Sequence, residues 1–297
     1  MKVTQLAVLE EFSLFLVLAD KALIAYHLDI IIPPAPTNPP ATTKPLPPQR
    51  LSGAKDVGFF ATGRMKDRTL VFYKKRENLS STFKVLEPVL QRNTEKRSRF
   101  SRKGTTDFFR DFDDFYIPTE CFGINLFQSS LSIQTSKGFE VMTLDKKQPF
   151  SVPELKASHV TATAARLQNQ KPLGMFRLSD IEFLLCYEEC AVYVNKHGDV
   201  SRSVIMEFVG RAKTVALFGV YVLVFDADFV EVRNAENGRL RQVIAGRDMR
   251  CIDDAGSYKT AAGKGGEGRG VKVALAHPDV EGRQLVVELV LNEGQMD

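Results

Sequence analysis

Two cysteines and a histidine come nearest to the spacing of a metal site. Cys186 and Cys190 stand four positions apart, and His197 is the nearby third candidate. On a helix this spacing would place both thiols on one face, and on a hairpin the thiols would flank the turn Glu188-Glu189. A zinc site takes four ligands, and the sequence offers at most three here. The pattern therefore favours two small buried side chains over a metal centre.

The histidines and paired aspartates lack the spacing of a catalytic site. No Ser–His–Asp order, nucleophile elbow or His-Glu-x-x-His motif accompanies them, and we expect the histidines in strand ends, loops or turns. Aspartate is favoured in tight turns because its side chain accepts local backbone hydrogen bonds, so the aspartates are interpreted as turn residues. The sequence predicts no catalytic, cofactor-binding or metal-binding residue, and it specifies no partner-binding residue. The side chains considered are His27, His159, His197, His277, Asp226, Asp228, Asp253 and Asp254.

Two loop-like segments have compositions that suggest ligands. Residues 262–270 are glycine-rich, but they lack the Ser or Thr and the following helix of a phosphate-binding loop. Residues 91–103 carry six basic side chains that would contact acidic phospholipid headgroups. We expect a solvated loop in preference, with a peripheral membrane contact as the alternative. Ser98 and Ser101 within it match a weak basophilic phosphorylation pattern, and the acidic residues 107–114 are expected to fold back on the run.

An internal repeat indicates the elements that hold these residues. Each copy is an alternating apolar run, two polar or small residues, and a second alternating run, which is typical of a β-hairpin. The hairpin centres are 38 to 69 residues apart, and the shortest interval is close to one four-stranded propeller blade. The predicted hairpins are 15–28, 58–74, 131–144, 183–194 and 221–233.

Further short strands fill the chain between the hairpins. Many short strands without a long amphipathic helix indicate an all-β fold, and the repeat favours a β-propeller. We predict a single domain over 1–297 with flexible insertions at about 32–50, 91–114, 156–171 and 255–270. The additional predicted strands are 81–86, 121–127, 173–178, 205–209, 215–218, 240–244, 249–252, 271–276 and 284–291.

Composition and charge exclude several classes of protein. The net charge of +4 over 297 residues gives no nucleic-acid signature. The longest apolar runs are too short to span a bilayer, and the N-terminus lacks the cleavage site of a signal peptide. We therefore expect a cytoplasmic protein.

Several stretches resemble the citron homology (CNH) domain, in the version at the C-terminal end of fungal Rho guanine nucleotide exchange factors. The resemblance covers nearly the whole chain outside the insertions. Its most specific part is the segment 183–199 followed by 225–252. The stretches that carry it are 5–29, 115–145, 176–199, 224–252 and 282–292.

The resemblance implies a seven-bladed propeller that serves as a regulatory, protein-binding module in Rho and cell-wall integrity signalling. The implied partners are a small GTPase of the Rho or Ras type, an upstream regulator, or neighbouring domains of the parent protein, with recruitment to the cell cortex. The catalytic exchange domain of such proteins is helical and is not recognised in these residues. The resemblance therefore implies a non-enzymatic chain.

Counting the predicted strands gives five to six blades, fewer than the seven that the resemblance implies. We therefore expect the first blade to lack a part. Two other functions remain open from the residues. One is a membrane-surface adaptor that acts through residues 91–103. The other is a propeller hydrolase, which would need clustered ionisable side chains on its innermost strands.

Overall fold

The computed structural model describes residues 2–32, 47–51, 53–75, 79–90, 108–156, 160–254 and 270–291. Within them almost all regular structure is β-strand, and the longest helix has seven residues. The strands form small antiparallel sheets in which consecutive strands are neighbours. Contacts divide the chain into two compact units, residues 1–129 and 130–297.

The first unit contains two four-stranded sheets and one additional strand. A 3-10 turn, Glu10–Phe12, lies between the first two strands, and a short helix α1, Leu28–Ile31, follows the third. The sheets have the orders β1-β2-β3-β4 and β5-β6-β7-β8. The strands are β1 Val3–Leu9, β2 Leu14–Ala19, β3 Ala22–His27, β4 Gln49–Arg50, β5 Val57–Met65, β6 Arg68–Lys75, β7 Ser81–Pro88, β8 Phe109–Ile117 and β9 Cys121–Leu126.

The two sheets of the first unit pack face to face through alternate apolar side chains. Leu14, Leu16 and Leu18 of β2 share a buried core with Phe60 of β5 and Tyr73 of β6. Period-two alternation places these residues on one sheet face, so burial of that face holds the sheets together.

A side-chain amide and a glycine fix the spacing of strands in this unit. Gln5 of β1 donates to the carbonyl of Phe60 (3.1 Å) and accepts from its amide (2.8 Å). A Cβ on Gly63 of β5 would lie 2.7 Å from Cδ1 of Leu126, so the absence of a side chain lets β9 approach closely.

The second unit contains a three-strand meander, two four-stranded sheets and a three-stranded sheet. Helix α2, Thr161–Leu167, connects the meander to the next sheet. The sheets after it have the orders β13-β14-β15-β16, β17-β18-β19-β20 and β21-β22-β23. The strands are β10 Leu131–Thr135, β11 Gly138–Met142, β12 Phe150–Val152, β13 Pro172–Arg177, β14 Glu182–Tyr187, β15 Cys190–Asn195, β16 Met206–Glu207, β17 Thr214–Phe218, β18 Tyr221–Phe225, β19 Phe229–Asn234, β20 Leu240–Ala245, β21 Arg250–Asp253, β22 Val271–Ala276 and β23 Gln284–Leu289.

The repeat observed in the sequence corresponds to these sheets. All five predicted hairpins are present, as β2-β3, β5-β6, β10-β11, β14-β15 and β18-β19. The tight turn at Asp20-Lys21 has positive φ at both residues, as does the turn at Lys66-Asp67. These are the backbone angles of a two-residue hairpin turn of type I′. With the meander β10-β11-β12 counted as a sheet, the described residues form six sheets, which match the five to six blades counted in the sequence.

One predicted insertion is wrong in its last part. Residues 109–114 belong to β8, which pairs with β7 along its whole length, whereas the basic run on which they were expected to fold back lies outside the described residues. Phe109, Phe115 and Ile117 are buried and anchor this strand. The intervening charges pair across the strands, as in the contact of Lys84 with Asp114 (2.5 Å). Buried positions alternate with exposed ones only at the end of β8, from Phe115 to Ile117, whereas residues 110–114 are exposed or half-buried.

Candidate functional site

A rigid loop between β16 and β17 presents an exposed apolar side chain in the second unit. We call residues 208–213 the 209 loop. Val209 is 70% exposed, and Arg211 beside it is also exposed. Gly210 lies between these two residues. A Cβ atom added at Gly210 would lie 2.7 Å from Phe229 Cζ and 2.8 Å from Asp226 Oδ2. A side chain at 210 would push the loop away from the sheet, so glycine is needed there for close packing.

Two carboxylates hold the backbone of the 209 loop. Glu231 of β19 is fully buried and accepts hydrogen bonds from the amides of Val209 (2.7 Å) and Gly210 (3.2 Å). Its other oxygen accepts from Nε of Arg233 at 2.7 Å. Asp226 accepts from the amide of Arg211 at 3.1 Å. Three successive amides are thus satisfied by charged acceptors, which fixes the conformation of the loop.

Ion pairs surround the loop and the neighbouring hairpin turn. Arg211 bonds Glu188 at 2.7 Å. Arg166 of α2 bonds Glu207 at 2.7 Å and Glu189 at 3.4 Å. The loop thus presents one exposed apolar side chain beside paired charges. Among the described residues of this group, no nucleophile lies beside a general base.

A second ionic group lies between β14 and the connection after β15. Arg202 donates through Nε to Glu182 (2.8 Å) and also through Nη2, while its guanidinium stacks on Tyr193 at 3.9 Å. Its Nη1 reaches the carbonyl of Glu236, and the Tyr193 hydroxyl donates to the carbonyl of Ala235 (2.9 Å). These contacts connect the loops of two consecutive sheets in the second unit.

This group predicts a pH dependence of stability. The hydrogen bond from Arg202 lowers the pKa of Glu182 below its ordinary value. A carboxyl whose pKa is depressed on folding stabilises the protein above the unfolded pKa of about 4.3, and that stability is lost as pH falls through the lower folded pKa. We expect Arg202→Ala to cost about 1–2 kcal/mol at pH 7. In urea denaturation, the gap to the wild type should shrink at pH 3.

Arg177→Ala is the matched control, because Arg177 pairs with Asp180, which is 89% exposed. That pair contributes at most about 1 kcal/mol. A gap for Arg202→Ala that stays constant between pH 7 and pH 3 would show that Glu182 does not titrate against Arg202.

The predicted cysteine pair does not converge in the structure. Cys186 pairs with Ala191 across the hairpin, so Cys186 and Cys190 point to opposite faces of the sheet. Both are buried, and burial raises the pKa of Cys190 to about 12. His197 lies exposed in the turn at the other end of β15. The interpretation of the two cysteines as small buried side chains is confirmed, and the alternation of faces separates the two thiols that flank the turn.

The histidines and aspartates that the structure describes lie in turns and strand ends. His27 Nδ1 accepts from the amide of Asp29 (3.3 Å), and His277 Nδ1 accepts from the amides of Asp279 and Val280 (both 3.1 Å). Asp226 also accepts from the amide of Ala227 at 2.6 Å. Asp253 pairs with Lys272 on the neighbouring strand at 3.3 Å. Asp228 and Asp254 lie in the turn after β18 and directly after β21.

Some predicted features lie outside the described residues. They are His159, the basic run 91–103 with Ser98 and Ser101, residues 262–269 of the glycine-rich segment and residues 33–46 of the predicted insertion 32–50. Among the described residues, no three His, Cys, Asp or Glu side chains are grouped as metal ligands. The helices within those same ranges are too short to cross a bilayer.

The sequence analysis did not find the 209 loop. One signal was available, because Glu231 interrupts the apolar strand Phe229–Asn234 with a charge. A charge within a buried strand needs a partner, and here it binds the loop amides.

Comparison with known families places most of the chain in one family. The CNH domain model matches residues 1–255. A solved structure, the AfRom2 CNH domain, superposes with a TM-score of 0.74 at 27% identity, covering 97% of this chain and 81% of that one. The all-β sheets described above are therefore the blades of a β-propeller.

Curated relatives are fungal exchange factors. Rho1 guanine nucleotide exchange factor 3 of Schizosaccharomyces pombe is 32% identical over 294 residues, which is 97% of this chain and 22% of that protein. Rho1 guanine nucleotide exchange factor 1 of the same organism is 33% identical over 269 residues, 89% of this chain and 19% of that protein. The chain spans about a fifth of the length of these relatives.

Proposed function

The chain belongs to the CNH domain family, and we propose that it is the regulatory, protein-binding module of a Rho-type guanine nucleotide exchange factor. One observation carries the proposal: the chain is similar over nearly its whole length to a fifth of two Rho1 exchange factors. The chain would act by binding, while the exchange reaction takes place elsewhere in the parent protein.

The proposed partner is a small GTPase of the Rho type, with an upstream regulator as the alternative. The names of the relatives support the GTPase, because an exchange factor must meet its GTPase to act. A binding module beside the exchange domain would raise the local concentration of that GTPase and so the rate of encounter. The module would thereby act on exchange through proximity, without a catalytic group of its own.

We propose the 209 loop as the contact surface in this chain. Rigid loops on a β-scaffold bind partners with little loss of conformational entropy. Val209 would supply the apolar anchor, and the pairs Arg211–Glu188 and Arg166–Glu207 would form the polar rim. Because carboxylates hold the loop through backbone amides, substitution of the Val209 side chain leaves those hydrogen bonds in place.

Val209→Asp tests this surface. A charge at the anchor would be desolvated on binding, so we expect at least a tenfold loss of affinity for an immobilised Rho-type GTPase, measured by biolayer interferometry. Val286→Asp on β23 is the matched control, since Val286 is also exposed, at 64%, but lies on the outer strand of a different sheet. Equal affinities for the wild type and Val209→Asp would exclude the 209 loop, and no binding of the GTPase by the wild-type chain would exclude this partner.

A further inference from the structure

A buried lysine in the first unit has no counter-ion among the described residues. Lys74 is the penultimate residue of β6 and is 5% exposed. Its ammonium donates to the carbonyl of Cys121 at 3.1 Å. Within the described ranges no carboxylate lies within the 4.0 Å of an ion pair with this group. Lysine is rarely buried without a charged partner, because the loss of hydration of an ammonium is costly.

The surroundings of Lys74 provide little compensation. Its stem lies in register between Phe59 of β5 and Phe83 of β7, whose rings are 5.9 Å apart. Aromatic side chains pack well against the methylene stem but accept no conventional hydrogen bond from the ammonium. Within the part of the chain that the structure describes, the three N–H groups of the ammonium therefore meet one neutral acceptor. This arrangement leaves a positive charge and donor capacity at the end of the sheet.

A second incomplete polar group lies in the adjoining connection between β8 and β9. Thr119 is also buried, and its hydroxyl has no hydrogen-bond partner in the described structure. The neighbouring Ser81 hydroxyl is already used, because it donates to the carbonyl of Thr119 (2.9 Å) and accepts from the amide of Cys121 (3.0 Å). Ser81 thus holds the connection in place beside Lys74.

We propose that Lys74 and Thr119 form a receptor for a carboxylate group carried by a protein partner. One ammonium matches the single negative charge of a carboxylate, and the Thr119 hydroxyl would donate to its second oxygen. A phosphate is a poorer match, since it carries more charge and is usually held by arginines or several backbone amides. The identity of the carboxylate as a group of a protein partner rests on the proposed binding function. The affinity of the site for a free carboxylate does not depend on that function.

Acetate is the probe, and the melting temperature of the whole chain is the measurement. A ligand that binds the folded state raises its stability. We expect sodium acetate to raise the melting temperature at pH 7 by about 2–4 °C over sodium chloride at equal ionic strength. Lys74→Met should abolish this difference while remaining folded, because an apolar side chain of similar length replaces a buried charge favourably. Lys75→Met, at the next and less buried position, should retain the difference.

Thr119→Val provides a second variant that keeps the lysine. We expect it to reduce the acetate effect without removing it. The same acetate effect in the wild type and Lys74→Met, or none in the wild type, would overturn the proposal. An equal rise with phosphate would overturn the assignment of a carboxylate.

The variant Glu77→Gln tests a carboxylate outside the described residues. It should not weaken the acetate effect, and a weaker effect in this variant would also overturn the proposal. A GTPase that fails to bind while acetate still stabilises the chain would contradict the proposed function alone.

Discussion

Glu231→Ala is expected to destabilise the second unit by about 3–5 kcal/mol. The carboxylate is fully buried in β19 and accepts from two loop amides and from Arg233. Its removal leaves the Arg233 guanidinium, which is 11% exposed, without its charged partner. Removing one partner of a buried pair costs more than the pair contributes, because the other charge stays desolvated. Urea denaturation followed by circular dichroism measures this loss.

Asp180→Ala is the control for this prediction. Asp180 also pairs with an arginine, but it lies at the surface, so its removal should change the free energy of unfolding by about 0.5 kcal/mol or less. A loss below about 1 kcal/mol for Glu231→Ala would mean that the buried pair does not hold the 209 loop. Restoration of most of the stability by the double variant Glu231→Ala with Arg233→Met would support the stated cause.

Phe83→Ala should destabilise the first unit by about 3–5 kcal/mol. The ring of Phe83 is buried, stacks on Phe115 at 4.8 Å and contacts Phe59 edge to face at 5.9 Å. Truncation removes the apolar area and leaves a cavity inside the aromatic cluster. The same denaturation experiment should show an earlier transition for this variant.

Two control variants, Phe112→Ala and Phe83→Leu, distinguish the loss of core packing from the loss of an aromatic ring alone. Phe112 of β8 is exposed, although Arg68 lies over its ring at 5.7 Å, so its truncation should cost about 1 kcal/mol or less. Phe83→Leu keeps part of the volume and should cost less than Phe83→Ala. Equal losses for Phe83→Ala and Phe112→Ala would contradict the central position of this ring.

Period-two alternation was sufficient to predict the hairpins of this fold. In β14 and β15, for example, Phe183 to Val194 are apolar on both sides of the turn Glu188-Glu189, and the observed strands begin and end within one residue of the prediction. In this hairpin the apolar runs are continuous because both faces of the strands are buried, and the two polar residues between the runs mark the turn. The fold class was confirmed for the same reason, since each hairpin repeats the unit of a propeller blade.

Edge strands were harder to predict. The outer strands β4, β12 and β16 have only two or three residues, so no periodicity can develop in them. In β8 the exposed positions include Arg110, Asp111 and Asp114, so no apolar alternation marks the first half of the strand. Exposed edge strands tolerate such residues, and their register is set by the strand beside them.

The candidate site could not be predicted because its residues act through the backbone. Val209, Gly210 and Arg211 are held by their amides, and the accepting carboxylates lie 22, 21 and 15 residues further along the chain, respectively. Sequence reasoning finds side chains at fixed spacings, as it did for Cys186 and Cys190, and sheet alternation then separates those two. Neither contact leaves a local motif.

The central claim, binding without catalysis, is tested by one fluorescence titration. A Rho-type GTPase loaded with a fluorescent GDP analogue is mixed with increasing amounts of the chain in excess unlabelled GDP. We expect the anisotropy to rise to a plateau as the complex forms, while the analogue is released at its intrinsic rate. Binding without catalysis would be contradicted by a rate of release that increases with the concentration of the chain. It would also be contradicted by an anisotropy that stays constant up to a high micromolar concentration of the chain.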